Sequence, residues 1–115
     1  MGVDDLSPMQ KHNVIDVVSL SPDGRDIALS LIETRPWDER GENLLDMQEK
    51  LKAYLDYVES GQLYQQYPEA KGRSVCFRLH AAYSPDAQTE RFIQLVKESW
   101  LIPRSIEWKT LLLGA

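Results

Sequence analysis

Apolar positions are most regularly spaced between Asn13 and Glu33, where two apolar-rich runs flank the segment Ser21-Pro22-Asp23-Gly24. Pro22 presets φ for the first corner of a turn, and Gly24 accepts the left-handed conformation that closes it. Because turn-forming residues separate two apolar runs, this stretch predicts a β-hairpin with a three-residue loop.

The turn also predicts which residues share a face. If Ser21 faces Arg25, then Val17 faces Leu29. One face then carries mostly large apolar side chains, from Ile15, Val17, Ser19, Ile27, Leu29 and Leu31. The other face mixes apolar and polar side chains, from Val14, Asp16, Val18, Leu20, Asp26, Ala28, Ser30 and Ile32. A shift of one residue would exchange the two faces, so both assignments depend on the turn.

The rest of the chain predicts two helices and two more strands. Apolar residues recur at three- and four-residue steps from about Glu42 to Glu59, and again between Ser84 and Pro103. Residues 74–83 and 106–111 alternate apolar and polar positions. The order strand, strand, helix, strand, helix, strand predicts an α+β fold, with a mainly antiparallel four-stranded sheet and two helices packed on one face.

Length and composition indicate an ordinary single domain. We expect one domain over residues 1–115, with residues 1–12 as a loosely ordered arm because they are polar and lack periodicity. No apolar run approaches the roughly 20 residues of a membrane helix, and no secretory leader is recognisable. The single cysteine, Cys76, fits a reducing compartment. We therefore expect a cytoplasmic protein that does not bind membranes.

The charge is acidic and unevenly spread. Residues 1–70 hold 14 acidic and 6 basic side chains, and residues 71–115 hold 4 acidic and 7 basic ones. Binding to nucleic acid needs a basic surface that makes many phosphate contacts, so we expect no nucleic-acid partner. The acidic first part leaves open an immunity or antitoxin protein that neutralises a basic partner.

Reactive groups are present without a recognisable catalytic pattern. The chain has no phosphate-binding glycine loop, dinucleotide fingerprint, nucleophile elbow, zinc-protease helix or paired CxxC. Cys76 and His80 lie four residues apart on a predicted strand, about 13 Å at roughly 3.3 Å per residue, too far for a nucleophile and its base. We expect no cofactor and favour a non-enzymatic protein, although the missing motifs do not exclude an enzyme.

The mixed sheet face is the first candidate site, and its candidate interface residues are Asp16, Val18, Ser30, Ile32, Arg78 and His80. If solvent covers this face, it holds only a weak cross-strand ion pair. If a partner covers it, its mixture of apolar residues and a few charges suits a protein interface, and homodimerisation is the simplest case. We favour a binding module, while an acid–base catalytic role is the third alternative.

An aromatic group is the second candidate site. Trp37, Tyr54, Tyr64 and Tyr67 could line a pocket between the helices and the sheet, as in a small-molecule-binding or enzymatic domain. The same residues equally suit ordinary packing in the core and at its rim.

Several segments resemble a known family. They are IDVVSLSPDGRDIALSL, RPWDE, MQEKLKAYLDYVESGQLY and YPEAKG, and together with their surroundings they span residues 14–100. They are similar to a family of small bacterial proteins known only as a domain of unknown function. The resemblance implies a bacterial, cytosolic, single-domain protein. The family has no assigned activity or functional residues, so none is implied here.

Overall fold

The computed structural model describes residues 6–113. The strands are β1 (Val17–Leu20), β2 (Asp26–Glu33), β3 (Ser74–Ala81) and β4 (Ile106–Leu112), and the helices are α1 (Glu42–Glu59), α2 (Gln62–Gln66) and α3 (Ala87–Val96). Short 3-10 turns occupy Pro8–Gln10, Pro68–Ala70 and Ile102–Arg104, and a π-helical turn, Lys97–Leu101, extends α3.

The sheet is mixed, so the prediction of a mainly antiparallel sheet is wrong. Its strand order is β1-β2-β3-β4. Among the strand pairs of residues 6–113, only β1–β2 is antiparallel. The β2–β3 and β3–β4 pairs are parallel. The cause is the position of the helices in the chain. Because α1 and α2 return the chain along the sheet before β3 begins, and α3 does so before β4, each later strand runs in the same direction as its predecessor.

The hairpin loop is one residue longer than predicted. The backbone N–H of Ser21 donates to the carbonyl of Asp26 at 3.0 Å, and the Asp26 N–H donates to the Ser21 hydroxyl at 3.1 Å. Val17 therefore pairs with Ser30 rather than Leu29. The predicted faces of β2 are correct, but those of β1 are exchanged, and this moves Val18 to the core side.

The core lies between the helices and one side of the sheet. Tyr54 of α1 packs edge-on against Phe77 of β3, with ring centroids 5.8 Å apart and planes at 88°. Leu29 and Leu31 of β2 are fully buried beside them. Other buried members come from every described helix: Met47, Leu51, Leu55, Leu63, Ile93 and Val96. The prediction that helices cover one face of a four-stranded sheet is confirmed, with α2 as an additional short helix.

The N-terminal segment is held against α1. Met9 is fully buried in the core. The ammonium of Lys50 donates to the carbonyls of Pro8 at 2.7 Å and Lys11 at 2.9 Å. Residues 8–11 of the predicted arm thus contact α1 and the core, and its first five residues lie outside the described part of the chain. The anchoring contacts are made by backbone carbonyls, which every residue carries, so polar composition gives no sign of them.

Asp86 caps α3 and makes the stability of this helix sensitive to acid. Its carboxylate accepts from the Thr89 N–H at 2.8 Å. Hydrogen bonds from Thr89 lower the pKa of Asp86 below its ordinary value of 3.8. A depressed folded-state pKa means that the cap contributes fully above about pH 4 and is lost as the pH falls through that lower value.

We expect Asp86→Ala to cost about 1 kcal/mol at pH 7 and Asp86→Asn to cost less, because asparagine also caps helices. Thermal unfolding at pH 7 and pH 2.5 checks this. The difference between wild type and Asp86→Ala should shrink at the lower pH. An unchanged difference would mean that the carboxylate charge contributes nothing to the cap.

Candidate functional site

The side of the sheet opposite the helices is the candidate site, and we call it the open face. Every described helix packs against the other side. Strand pairing arranges the open face in rows across the sheet. The first row holds Ser19, Ala28, Cys76 and Glu107; the second holds Val17, Ser30, Arg78 and Lys109; the third holds Ile32, His80 and Leu111. The first row thus has three small side chains and the carboxylate of Glu107, the second has the two cations Arg78 and Lys109, and the third is largely apolar.

Arg78 lies near the centre of this face without a carboxylate partner. Its Nε is buried and has no hydrogen-bond partner. Among residues 6–113 it forms no ion pair. A buried donor without an acceptor carries a desolvation penalty of about 1–3 kcal/mol, and native structures hold few such groups. Arg78 is therefore the residue of the open face that most needs an external acceptor.

The neighbours of Arg78 are polar but poorly suited to catalysis. Burial raises the pKa of the Cys76 thiol, and the nearby Arg78 only partly opposes this shift. Such a thiol is a poor nucleophile. The Ser30 hydroxyl and His80 Nε2 are 3.1 Å apart. Ser30 is almost fully buried, so its hydroxyl is poorly accessible to a substrate.

Four of the six predicted interface residues lie on the open face: Ser30, Ile32, Arg78 and His80. Asp16 and Val18 do not, because the register of β1 differs by one residue from the prediction. The Asp16 carboxylate lies 3.0 Å from the Lys50 ammonium on the helix side. Val18 packs against the core.

Several open-face residues were missed by the sequence reasoning. They are Val17 and Ser19, on the exchanged strand, and Glu107, Lys109 and Leu111 of β4. The alternation of residues 106–111 predicted the strand. It could have assigned these residues to a face only if the direction of pairing with β3 had been known.

The four predicted pocket residues do not converge. Tyr54 is fully buried, and its hydroxyl donates to the Ser30 carbonyl at 2.6 Å. Burial raises the pKa of Tyr54 well above its ordinary value, so this hydroxyl stays protonated. The Trp37 indole donates to the Tyr83 carbonyl at 2.8 Å. Tyr67 rests against the edge of the core, and only Tyr64 lines a cleft.

That cleft, about 520 Å³ in volume, lies where β3 and β4 begin. Arg73 and Arg104 both line it, but their guanidinium groups are already engaged. Arg73 donates to the carbonyls of Gly24 and Glu69, and Arg104 pairs with the Glu59 carboxylate at 2.7 Å. Since these contacts join neighbouring loops, the cleft is better explained by loop packing than by a ligand site.

A second polar cluster lies around Glu33, at the end of β2. Glu33 is fully buried and receives hydrogen bonds from Arg35 and Asn43. Arg35 also bridges to Asp46 at 3.1 Å, and Asp46 contacts His12 at 2.9 Å. The carboxylates of Glu33 and Asp46 each pair with the Arg35 guanidinium. Because these residues and His12 come from different segments, the cluster connects β2, α1 and the N-terminal segment. Within the described residues, no three His, Cys, Asp or Glu side chains are placed to hold a metal ion.

The fold and the open face define a two-layer α+β protein, as predicted, whose mixed sheet is covered by helices on one side. The chain belongs to a family of unknown function, DUF6572, whose model matches residues 7–109. This confirms the resemblance to a domain of unknown function. No curated protein and no solved structure matches the chain. In the part of the chain that the structure describes, no helix is both long and apolar enough to cross a membrane.

Proposed function

We propose that this protein is a non-enzymatic protein-interaction module that binds an acidic segment of a partner protein on the open face. The observation that carries the proposal is Arg78, a half-buried cation whose Nε has neither a hydrogen bond nor a carboxylate partner in residues 6–113. A partner carboxylate would supply the missing acceptor, and an arginine can bind a carboxylate through two parallel hydrogen bonds.

The topology of the sheet supports a covered face. Parallel sheets occur almost only where both sides are covered, because their crossover helices usually lie on both. Here β2, β3 and β4 are parallel, yet all described helices lie on one side. A partner on the open face would complete the usual arrangement.

The composition of the face specifies the chemistry of the partner. Lys109 pairs with Arg78 across the neighbouring strands, so two cationic side chains lie side by side in the middle of the face, and His80 follows Arg78 along β3. Ile32 and Leu111 lie in the next row and offer apolar contact. The small side chains of Ala28 and Ser30 allow a partner backbone to approach closely. A segment carrying Asp or Glu next to Leu, Ile or Val fits these features.

Arg78→Gln tests the proposal with peptides of known sequence. Dodecapeptides are first selected against the wild-type protein from a random phage-displayed library. We expect the selected sequences to be enriched in Asp or Glu beside aliphatic residues. Their dissociation constants, measured by fluorescence anisotropy, should rise at least tenfold in Arg78→Gln, because interface arginines often dominate binding energy.

The matched control is Arg91→Gln, which removes an exposed arginine on α3, on the helix side of the sheet. Its affinity for the same peptides should equal that of the wild type. Peptides that bind both variants equally well, or selected sequences without acidic enrichment, would contradict the proposal. If instead a second copy covers the open face, Arg78→Glu will lower the solution mass of the protein.

A reducing, cytoplasmic location suits this proposal. Cys76 is the only cysteine of the chain, and it lies almost fully buried on the open face. A partner bound over it would protect the thiol further from oxidation.

A further inference from the structure

We propose that two copies of this chain pair through the outer edge of β4, as antiparallel strands related by a twofold axis at Trp108. The partner at this edge is therefore a second copy of the chain. The pairing surface is the backbone edge of β4, and the side chains of Glu107 and Lys109 beside it also belong to the open face. The inference does not rest on the proposed function.

The outer edge of β4 is available for pairing. The strand order places β4 at an edge of the sheet, and within residues 6–113 no strand pairs with its outer side. The Leu113 N–H donates to the Ala81 carbonyl at 2.8 Å, so the backbone of Leu113 points towards β3. Because backbone directions alternate along a strand, Ile106, Trp108, Thr110 and Leu112 direct their N–H and C=O groups outwards.

This edge lacks the usual protection against pairing. Natural edge strands are commonly short, or interrupted by proline or a bulge. β4 has seven residues, Ile106–Leu112, without a proline. Its remaining protection is charge, from Glu107 and Lys109. Neither residue has an ion-pair partner among residues 6–113.

The charges select one register for a twofold pair. A twofold axis perpendicular to the sheet passes between the two copies of one residue, which then lies opposite itself. An axis at Glu107 or at Lys109 would place like charges directly opposite each other, so the axis must lie at a neighbouring residue. If that residue is Trp108, Glu107 of each copy lies opposite Lys109 of the other, and Ile106 lies opposite Thr110. An axis at Thr110 instead places Lys109 opposite Leu111 and leaves Glu107 without a cation. The sequence Glu107-Trp108-Lys109 is therefore complementary to itself only in the first register.

The same register satisfies the free backbone groups. The Trp108–Trp108 pair and the two Ile106–Thr110 pairs each exchange two N–H···O=C bonds, because all of these residues point outwards. The two half-buried Trp108 rings meet on the helix side of the sheet, where cross-strand aromatic pairs are favourable. The two ion pairs lie on the opposite side. The result is a continuous eight-stranded sheet in which the two open faces lie side by side.

Charge exchange tests this pairing by sedimentation velocity over a concentration series. We expect the wild-type protein to form a dimer. Glu107→Lys alone and Lys109→Glu alone should each raise the dimer dissociation constant about tenfold or more, because like charges then lie opposite each other. The variant with both substitutions should dimerise like the wild type, and an equimolar mixture of the two single variants should form a heterodimer.

A backbone variant provides a test that does not involve charge. The Thr110 N–H points away from β3, so Thr110→Pro removes an outward donor without removing a β3–β4 hydrogen bond. We expect this variant to keep the circular dichroism spectrum of the wild type and to be monomeric. Its matched control is Ile32→Glu, which alters the open face two strands away and should leave the dimer intact.

Three results would overturn the inference. The first is a wild-type protein that stays monomeric up to millimolar concentration. The second is a dimer that persists in Thr110→Pro and in both single charge variants. The third is a dimer that is lost in Ile32→Glu, because that outcome assigns the contact to the open face. These experiments measure the solution mass of the protein without any peptide, so failure here is distinguishable from failure of peptide binding.

Discussion

Lys50→Met is expected to lower the free energy of unfolding by about 3–5 kcal/mol, which is the usual cost of removing one partner from a buried ion pair. The Lys50 side chain is fully buried, and its ammonium lies 3.0 Å from the Asp16 carboxylate. Methionine preserves the aliphatic stem but leaves the carboxylate without its cation. It also removes the donor to the carbonyls of Pro8 and Lys11. Urea denaturation at pH 7 measures the change.

The matched control is Lys52→Met, two positions along the same helix. The Lys52 side chain is 54% exposed and pairs only with Glu49, so we expect a change below about 0.5 kcal/mol. The double variant Lys50→Met, Asp16→Asn should be more stable than Lys50→Met alone, because no unpaired charge then remains. A loss below about 1 kcal/mol in Lys50→Met would show that the buried ion pair is not a principal anchor of the N-terminal segment.

Hydrogen exchange extends the same prediction to local structure. Because Lys50 joins α1 to the carbonyls that flank Met9, its removal should increase amide exchange in residues 6–16 more than in β3. Equal increases in both regions would indicate global destabilisation without release of this segment.

Arg35→Met is the second substitution with a large expected effect, again about 3–5 kcal/mol. Glu33 is fully buried and has two kinds of partner, the Arg35 guanidinium at 2.8 Å and the Asn43 amide. Without Arg35, the amide alone would have to compensate a buried negative charge. The bridge from Arg35 to Asp46 of α1 would also be lost. Denaturation at pH 7 again reports the change.

Arg40→Met is the control, since Arg40 is exposed and forms no ion pair among residues 6–113. It should change stability by less than about 0.5 kcal/mol. Adding Glu33→Gln to Arg35→Met should restore part of the loss, because glutamine occupies nearly the same volume without charge. If the double variant is the less stable one, the cost arises from lost packing of the arginine stem rather than from an unpaired carboxylate.

The two buried charge clusters hold the framework on which the open face depends. Lys50 and Asp16 fix the chain just before β1, and Glu33 and Arg35 fix it just after β2. The hairpin between these points contributes Val17, Ser30 and Ile32 to the open face. A one-residue slip of β1 would place Val18 on that face. Both clusters thus support the hairpin register and the composition of the open face.

Edge pairing and peptide binding would reinforce each other. A dimer through β4 presents two copies of Arg78 on one continuous sheet. A partner with two acidic segments could then bind both, and the second contact would form at a raised effective concentration. Peptides with one acidic segment would gain no such advantage from dimerisation.

Local patterns predicted much of the fold. The spacing of apolar residues predicted α1 over Glu42–Glu59, as observed. The alternation in residues 74–83 correctly separated the buried Phe77 and Leu79 from Arg78 and His80. Both predictions succeed because helix and strand periodicities depend on neighbouring residues alone.

Lys50 illustrates a signal that was present but not used. It lies three residues after Met47 and four before Tyr54, so it occupies the apolar stripe of α1. A lysine on a buried stripe indicates a buried partner. The sequence does not show that this partner is Asp16, which is distant along the chain and was predicted on the opposite side of the sheet.

By itself, the sequence determined the type and approximate position of the main helices and strands, and the inward faces of β2 and β3. Only the tertiary structure decided the direction of strand pairing, the hairpin register, and the side of the sheet that Asp16 and Val18 occupy. The physical reason is the range of the interactions involved. Periodicity is a property of adjacent residues, whereas parallel pairing and the Lys50–Asp16 contact join residues far apart in the chain, and they form only when the helices pack on the sheet.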